Sequence, residues 1–465
     1  MKKIIFGVLV LSLSLLHNLS AQVMIGTQAV DTATIIGKLH VPWEILWGPD
    51  DHIWFTERNG QVRRLNPVTK TSKIILKMTD VVQQSESGLL GMALHPNFND
   101  SAFVYLVYNY LSSSVIKERL VRYTYSSDTL TNRIVLLDNV SGNGNHNGSR
   151  LLITPDRKIL MTTGDAQNTS LSQNDASISG KTLRLNLDGS IPADNPVSGR
   201  LFWSKGHRNA QGIVLGPNGI LYSSEHGPNN DDELNIIKKG GNYGWPTVEG
   251  FCNAPTEIQF CQDSNAVEPI YAWTPTLAVA GIDYYNSTAI QEWNKCILMT
   301  TLKEADLRVL QLNAAGDSVI KSTTYFNNWF GRLRDVCVAP NGDVYIATSN
   351  RDGRAVSPFP RPIDDRIIKI TPATISGSPI INSKKKEINL SPNPLSEQTL
   401  ITITHAGNED YDFKVYNLLG EEIQQIRMKG NSPAVFYRNQ LPKGMYLYRV
   451  FSEDKLVANG KLVIN

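Results

Sequence analysis

The chain has 465 residues, and 45 Lys and Arg stand against 43 Asp and Glu, a net charge of +2 at pH 7. Hydrophobic residues make up 41% of the chain, which is typical of a globular protein and excludes disorder of the whole. The longest basic run is 384–386, so nucleic acid is not an expected partner. The length suits one large repeat fold with a small additional domain.

Residues 1–21 have the pattern of a secretory signal peptide. Lys2 and Lys3 precede an apolar stretch over 4–16, and Ala21 ends the cleavage site. No later segment has the ~18 consecutive apolar residues of a membrane-spanning helix, so we expect no transmembrane segment in the mature chain.

Four cysteines follow, without a Cys-x-x-Cys pair that would indicate a zinc or redox site. Because export permits disulfides, we expect Cys252 and Cys261 to be linked across a short loop. Cys296 and Cys337 lie in apolar, strand-like stretches. There the sequence is equally consistent with a disulfide bridge and with buried free thiols.

One local pattern recurs along most of the chain. A turn such as Gly48-Pro49-Asp50-Asp51 leads into a short apolar run, here Ile53-Trp54-Phe55. The other turns are His95-Pro96-Asn97, Thr154-Pro155-Asp156, Gly216-Pro217-Asn218-Gly219, Trp293-Asn294-Lys295 and Ala339-Pro340-Asn341-Gly342. Six units about 45 residues apart predict an all-β fold, a six-bladed β-propeller over 22–375. An array of β-sandwiches is the alternative.

The composition changes near residue 377. Gly377, Ser378 and Pro379 and the basic run indicate a linker over 376–386. Alternating segments at 400–404, 413–416, 446–450 and 461–464 then predict a small C-terminal β-sandwich over 387–465.

Polar residues concentrate in the loops between the predicted strands. The loop Asn143-Gly144-Asn145-His146-Asn147-Gly148 exposes a histidine that can exchange protons near neutral pH. Asp165 follows the next strand, where a carboxylate could orient the imidazole. A plain surface histidine is the alternative interpretation.

Later loops supply cations and oxygen donors. Arg208 lies between two glycines, and the acidic block over 224–233 has the carboxylates and free carbonyls that Ca²⁺ prefers, although a solvated acidic turn would look the same. Lys303, Arg332 and Arg334 could together bind a multiply anionic cofactor. Solvated basic residues on exposed strands are the alternative.

These stretches resemble the soluble, pyrroloquinoline-quinone (PQQ) dependent sugar dehydrogenases. The resemblance covers about 41–371, and its most specific part is the block over 225–246. The matching motifs are Gly88-Leu89-Leu90-Gly91, His146 with Gly148-Ser149-Arg150, Gly164-Asp165, Gly206-His207-Arg208-Asn209, Lys303 and Arg332-Leu333-Arg334-Asp335. The resemblance implies a secreted propeller enzyme that oxidises an aldose at C1 to its lactone and passes electrons to an external acceptor.

The resemblance also implies a role for each matched residue. His146 would be the general base during hydride transfer to the quinone, with Asp165 as its partner, and Arg208 would stabilise developing charge. PQQ would be held by Gln173, Arg208, Asn209, Thr276, Lys303, Arg332 and Arg334. Gly227 and Pro228 would bind the Ca²⁺ that polarises PQQ, and Glu233 and Tyr243 a second, structural Ca²⁺.

This sequence departs from the family at three positions. Glu86-Ser87 stands where relatives carry Gln, and Asn145 replaces an aspartate beside the histidine. Both changes concern the choice of sugar. Asn253 replaces an acidic ligand, which puts the second calcium site in doubt.

The tail has a resemblance of its own. Ser391-Pro392-Asn393-Pro394 and Leu441-Pro442-Lys443-Gly444-Met445-Tyr446 look like the sorting domain of the type IX secretion pathway. It implies recognition by that machinery and a location at the cell surface or outside. An ordinary Ig-like appendage is the alternative for the tail. For the whole chain, a Ca²⁺-dependent sugar lactonase and a non-catalytic binding propeller are the alternatives.

Overall fold

Strands account for nearly all regular structure in the computed structural model, which describes residues 23–373, 388–404, 408–417, 421–452 and 455–465. The chain divides into two units, Met1–Ala373 and Thr374–Asn465. The predicted signal peptide and the predicted linker lie outside the described residues. No helix among the described residues is long and apolar enough to cross a bilayer.

The first unit contains six antiparallel sheets, numbered here in chain order. The chain begins with β1 (Val23–Ile25) and β2 (Gln28–Ile36). Sheet 1 contains β3 (Pro42–Trp47), β4 (Ile53–Glu57), β5 (Gln61–Leu65) and β6 (Ser72–Lys77). Sheet 2 contains β7 (Leu89–Leu94), β8 (Phe103–Ser112), β9 (Val115–Ser126) and β10 (Thr129–Ser141). Sheet 3 contains β11 (Gly148–Ile153), β12 (Lys158–Thr163), β13 (Lys181–Asn186) and β14 (Phe202–Lys205).

The remaining three sheets repeat this pattern. Sheet 4 contains β15 (Ala210–Leu215), β16 (Leu221–Glu225), β17 (Asp232–Ile236) and β18 (Tyr271–Trp273). Sheet 5 contains β19 (Val279–Tyr285), β20 (Cys296–Thr301), β21 (Leu307–Leu312) and β22 (Val319–Tyr325). Sheet 6 contains β23 (Leu333–Val338), β24 (Val344–Thr348) and β25 (Ile367–Pro372), and β2 and β1 complete its outer edge.

The six sheets form a closed ring. The first strand of each sheet lies beside the first strand of the next, and β23 of sheet 6 lies beside β3 of sheet 1. The ring is closed by strands from near the two ends of the first unit, because β2 pairs with β25 over Val30↔Pro372 to Ile36↔Ile367. This is the arrangement of a propeller and not of a sandwich array, and it confirms the all-β prediction.

The hydrophobic core lies between neighbouring sheets. Six clusters of buried side chains occupy the gaps between successive sheets around the ring. Both faces of an inner strand are therefore covered, which explains why runs such as Ile53-Trp54-Phe55 are continuously apolar instead of alternating. Trp54 and Trp293 are fully buried in two of these gaps.

The two short helices lie in loops. These are α1 (Ser170–Gln173) and α2 (Pro255–Ser264). Pro255 begins α2, and the Glu257 carboxylate accepts the Ala254 N–H at 2.8 Å, so the first turn is capped. A disulfide joins Cys252 to Cys261 across the start of α2, as predicted, and Cys296 and Cys337 are buried free thiols.

The loops that carry the predicted site residues lie at one edge of the ring. In an antiparallel pair, the start of the first strand and the end of the second strand lie at the same edge. The pairing of each first strand is irregular just inside this edge, for example between Gly148 and Leu151 in β11. The same irregularity recurs in all six sheets, and such bulges redirect side chains next to active sites.

The second unit contains two antiparallel sheets in the residues described. Its strands are β26 (Ile388–Ser391), β27 (Gln398–Ile403), β28 (Asp410–Tyr416), β29 (Glu422–Lys429), β30 (Ala434–Tyr437), β31 (Gly444–Ser452) and β32 (Lys455–Ile464). One sheet has the order β26-β27-β30 and the other β29-β28-β31-β32. Side chains of both sheets, including Phe436 and Phe413, share one core. The four predicted strands are present; β26, β29 and β30 were not predicted.

A buried carboxyl group in sheet 2 gives the fold a pH dependence. Glu118 on β9 is fully buried and accepts one hydrogen bond, from Ser149 Oγ at 2.5 Å, while its Oε1 has no partner. Burial raises the pKa of Glu118 from 4.5 to about 8. The folded chain therefore keeps a proton that the unfolded chain releases above pH 4.5, and stability falls as the pH rises from 4.5 to 8.

We expect Glu118→Gln to raise the free energy of unfolding by on the order of a few kcal/mol at pH 8, because an amide needs no proton. At pH 4.5 the two proteins should differ little. Urea denaturation at both pH values measures this, with Glu292→Gln, an exposed partner of Lys321, as the control. An equal effect at the two pH values would show that Glu118 is ionised in the folded protein.

Candidate active site

A cavity of about 270 Å³ opens at the edge where the first strands begin. Most of its walls come from loops that precede a first strand or follow a second strand, and Gln211, Asp232 and Arg334 line it from the starts of β15, β17 and β23. The lining residues are Arg58, Ser85, Glu86, Asn145, His146, Arg208, Gln211, His226, Gly227, Pro228, Asp232, Thr276, Ala278, Leu302, Arg332, Arg334, Asp352 and Arg354.

His146 and Asp165 meet at this cavity. His146 Nδ1 lies 2.8 Å from Asp165 Oδ1. The same carboxylate accepts the Gln167 N–H at 2.8 Å and Trp245 Nε1–H at 2.9 Å. Since Asp165 is surrounded by donors, Nδ1 of His146 carries the hydrogen, and the lone pair of Nε2 is left to accept a proton.

The backbone around His146 is fixed from two sides. His146 has a left-handed φ of 59°, and its N–H donates to Glu86 Oε2 at 3.2 Å. Its carbonyl accepts the Ala166 N–H at 3.0 Å. A Cβ on Gly164 would lie 1.9 Å from that carbonyl oxygen, so the close approach of the two loops requires glycine there.

Two of the five cavity arginines are already paired. Arg332 donates to Asp352 Oδ2 through Nε and Nη2, both at 2.9 Å, and to the Leu302 carbonyl at 3.0 Å. Arg354 Nη1 donates to Glu86 Oε1 at 2.9 Å. Burial opposes ionisation of Glu86, but His226 and Arg354 outweigh it and lower its pKa. Glu86 therefore links Arg354 to the backbone of His146.

The rim of the cavity is a small hydrogen-bonded cluster. Arg354 Nη2 donates to Asn145 Oδ1 at 3.0 Å and to Ser85 Oγ at 3.3 Å, and Ser85 Oγ donates to Asn145 Oδ1 at 2.7 Å. Two of the three positions at which the sequence departs from the family pattern, Glu86 and Asn145, thus lie together at the cavity mouth.

The other three arginines lack a carboxylate partner. No ion pair of Arg58, Arg208 or Arg334 is present among the described residues, and each has a buried Nε without a hydrogen-bond partner. Arg334 donates to Gln211 Oε1 at 3.0 Å and Arg208 to the His226 carbonyl at 3.3 Å. Burial lowers the pKa of Arg334 to about 10 and also lowers the pKa of Arg208. The cavity therefore has unbalanced positive charge.

Not all of the predicted cofactor residues line the cavity. Thr276 does, whereas Lys303 is exposed and its Nζ donates to Thr276 Oγ1 at 3.4 Å. Gln173 is held by Asn242 and by the Trp245 carbonyl, at 2.9 and 2.8 Å.

Asn209 is fully buried below the cavity surface. Its Oδ1 accepts the Gly148 N–H at 3.1 Å, and its Nδ2 has no partner. This amide therefore connects the start of β11, next to His146, with the start of β15.

The four predicted calcium residues all line a second, smaller pocket. Gly227 and Pro228 also line the cavity, and the turn that holds them is fixed by Asp232, which accepts the Gly227 N–H at 2.9 Å. Glu233 and Tyr243 do not line the cavity itself. Tyr243 donates to the Ile236 carbonyl at 2.5 Å, and burial, followed by Glu225, raises the pKa of Glu233 to about 8. No cluster of three or more metal-ligating side chains occurs in the described parts of the chain.

Several cavity residues were not singled out from the sequence. They are Arg58, Gln211, His226, Asp352 and Arg354. Arg58 directly follows the apolar run of β4, and His226 directly follows β16. Asp352 and Arg354 follow the second strand β24, so the end of a second strand was the signal for four of these residues, whereas Gln211 lies within the first strand β15.

The cavity at this edge of the propeller thus combines an imidazole held by a carboxylate with three guanidinium groups to which the described residues supply no carboxylate. Residues 39–357 match the glucose/sorbosone dehydrogenase family, and the chain belongs to this family. It is thus a sugar-oxidising oxidoreductase of the propeller type, as the sequence predicted.

Individual relatives agree with this assignment. The chain is 30% identical to the aldose sugar dehydrogenase of Escherichia coli over 363 residues, 74% of this chain and 96% of the relative. It is 39% identical to quinoprotein glucose dehydrogenase B of Acinetobacter calcoaceticus over 254 residues, 48% and 53% of the two chains. The PQQ-bound aldose sugar dehydrogenase of Streptomyces coelicolor superposes with a TM-score of 0.65 at 28% identity, covering 74% of this chain and 98% of that one.

The tail belongs to a second family. Residues 389–465 match the secretion system C-terminal sorting domain, which confirms the prediction of a type IX sorting tail. A domain of this kind directs export to the cell surface or beyond.

Proposed function

We propose that this chain is an exported, PQQ-dependent dehydrogenase that oxidises an aldose at C1 to its lactone. The observation that carries the proposal is the cavity in which the His146–Asp165 pair faces Arg58, Arg208 and Arg334, three guanidinium groups without a carboxylate. These residues fit PQQ, because a tricarboxylate offers partners to buried cations that otherwise lack them.

His146 is the general base in this proposal. Nε2 takes the proton of the anomeric hydroxyl, while Asp165 holds the ring in orientation and stabilises the positive charge that the imidazole gains. Bound PQQ supplies the acceptor for the hydrogen and the electron pair that leave C1. The proton then passes from His146 to solvent at the cavity mouth, where the His146 side chain is 18% exposed.

The arginines bind and orient the anionic partner. Arg334, 4% exposed, and Arg208, which is partly buried, present positive charge to the cavity, and charge-assisted hydrogen bonds to carboxylates are among the strongest in proteins. Arg332 is paired with Asp352, and in this proposal it contributes to PQQ binding from its position in the cavity wall. Asn209, Gln173, Thr276 and Lys303 are proposed as further cofactor residues, the first two through the loops that they fix.

The carbonyls of Gly227 and Pro228 are proposed to bind Ca²⁺ beside the cofactor. Hard cations take oxygen ligands of this kind, and Asp232 holds the turn that carries both residues. When bound, the ion supplies positive charge next to the quinone oxygens. Glu233 and Tyr243 are proposed ligands of a second, structural Ca²⁺.

The architecture completes the proposal. The six sheets are taken as six blades over 22–375, and the two C-terminal sheets as a sandwich over 387–465. Residues 1–21 are taken as a signal peptide and 376–386 as a linker. The aldose is oxidised outside the cytoplasm, and an external acceptor takes the electrons.

The direct test is reconstitution. Apoprotein supplied with PQQ and Ca²⁺ should reduce an artificial dye when given aldoses from a panel, and should be inactive without PQQ. Hydrolysis of sugar lactones in the absence of PQQ, with no dye reduction, would contradict the proposal and favour a lactonase.

We expect deletion of residues 383–465 to leave an active enzyme that does not cross the outer membrane. The two units are separate at Ala373, and every proposed site residue lies before that point. Dye reduction by the purified truncated protein and its location in the native host are the two measurements. Loss of activity in vitro, or continued arrival at the surface, would each contradict one half of the prediction.

A further inference from the structure

Arg58 lines the cavity with a guanidinium group that has no partner among the residues the structure describes. The residue is 6% exposed and follows β4 directly. Its Nε is buried without a hydrogen bond, and no ion pair or side-chain hydrogen bond of Arg58 occurs among the described residues. The neighbouring carboxylates Glu86 and Asp352 are engaged by Arg354 and Arg332, each at 2.9 Å.

An unpaired buried cation disfavours the folded state, so its presence needs an explanation. Burial lowers the pKa of Arg58, and the carboxylates Asp352 and Glu86 only partly oppose this. Arg332 and Arg354 show that the same loops can supply a carboxylate at contact distance. The guanidinium of Arg58 is left for a ligand.

The hydrogen bonds that connect Arg58 to the rest of the fold come from its backbone. The Arg58 N–H donates to the His40 and Val41 carbonyls, both at 3.2 Å, and its carbonyl accepts the Leu89 N–H at 3.0 Å. Any residue except proline would keep these bonds. A Cβ on Gly88 would lie 2.2 Å from Arg58 Cγ, so the bare backbone of Gly88 packs against the aliphatic stem. The stem is thereby fixed while the charged end lines the cavity.

We propose that Arg58 binds a carboxylate of the ligand that occupies this cavity. The inference rests on the proposed function for the identity of that ligand. Arg58 joins Arg208 and Arg334 as a third guanidinium without a carboxylate partner, which matches the number of carboxylates on PQQ. The other source of the same chemistry is an aldose that carries a carboxylate, such as a uronic acid.

The test compares wild type with Arg58→Gln, Arg58→Lys and the control Arg63→Gln, whose arginine pairs with Glu57 outside the cavity. Equilibrium dialysis measures PQQ binding to each apoprotein in Ca²⁺. We expect Arg58→Gln to weaken binding on the order of tenfold to a hundredfold, since one charge-assisted contact is lost. Arg58→Lys should recover part of the affinity, because lysine restores the positive charge but not the planar guanidinium group that can make two parallel hydrogen bonds to a carboxylate. Arg63→Gln should bind like wild type.

The melting temperature of the apoproteins separates ligand binding from folding. Arg58→Gln should melt no lower than wild type, because an uncompensated charge is removed. A melting temperature that falls together with PQQ affinity would overturn the proposal and make Arg58 a structural residue. Unchanged PQQ affinity together with an unchanged ratio of kcat/KM for uronic and neutral aldoses would also overturn it.

A substrate carboxylate gives a different result. In that case PQQ affinity is unchanged, but Arg58→Gln loses the preference for the uronic acid, and the proposal stands with the sugar as the source. Failure of wild type to bind PQQ would defeat the proposed function alone. Arg58 would then be tested by citrate, which should raise the melting temperature of wild type more than that of Arg58→Gln.

Discussion

We expect His146→Asn to lose turnover by ~10²–10⁴-fold while it binds PQQ with nearly wild-type affinity, because a positioned general base contributes about this much. The backbone N–H of an asparagine at position 146 can still donate to Glu86 Oε2. Asparagine has no Nε2 that can take a proton, however. Dye reduction under saturating sugar gives kcat, and equilibrium dialysis gives the PQQ affinity of the same preparation.

The matched control is His52→Asn. His52 lies in the turn before β4, where its Nδ1 is 2.7 Å from the Asp50 carbonyl, and it does not line the cavity. It should leave kcat unchanged. An His146→Asn enzyme that oxidises its best sugar at the parental rate would remove His146 from the role of base. A joint loss of PQQ binding and turnover would instead assign it to cofactor binding.

The second large effect concerns the arginines of sheet 6. We expect Arg332→Ala/Arg334→Ala to weaken PQQ binding by ~10²–10⁴-fold, since two charge-assisted contacts of ~1.5–3 kcal/mol each would be lost. Titration of PQQ against the double variant measures the loss. An affinity equal to that of wild type would mean that both arginines serve the fold.

The two single variants separate the effect on PQQ affinity from the effect on stability. Arg334→Ala should carry most of the lost affinity with little change in apoprotein melting, because Arg334 has no carboxylate partner. Arg332→Ala should lower the melting temperature, because Asp352, whose side chain is 4% exposed, would lose its ion pair. Arg133→Ala, which removes an exposed pair with Asp80, is the control and should affect neither quantity much.

The blades could be predicted from the sequence because their signals are local. A turn such as Gly216-Pro217-Asn218-Gly219 and the apolar run after it lie within about ten residues, and the turn chemistry fixes where the strand begins. The closing strand β2 was missed for the opposite reason. Gln28–Ile36 pairs with Ile367–Pro372, more than 300 residues away, and no turn joins the two.

That His146 and Asp165 lie together could also be predicted, because the loop and the strand end are joined by a single hairpin. His146 precedes β11 and Asp165 follows β12, so the antiparallel pair returns the carboxylate to the histidine. The charge balance of the cavity could not be predicted from the sequence. Whether Arg332 or Arg334 is unpaired depends on Asp352, a loop residue that the fold brings to Arg332 and not to Arg334.

A single anaerobic turnover tests most directly whether the enzyme oxidises aldoses through PQQ. Wild-type enzyme holding one equivalent of PQQ, with Ca²⁺ and no dye, should convert one equivalent of aldose to its lactone and then stop, and His146→Asn should do so far more slowly. Lactone formed in the absence of PQQ, or continued turnover without any electron acceptor, would contradict a PQQ-dependent oxidation at C1.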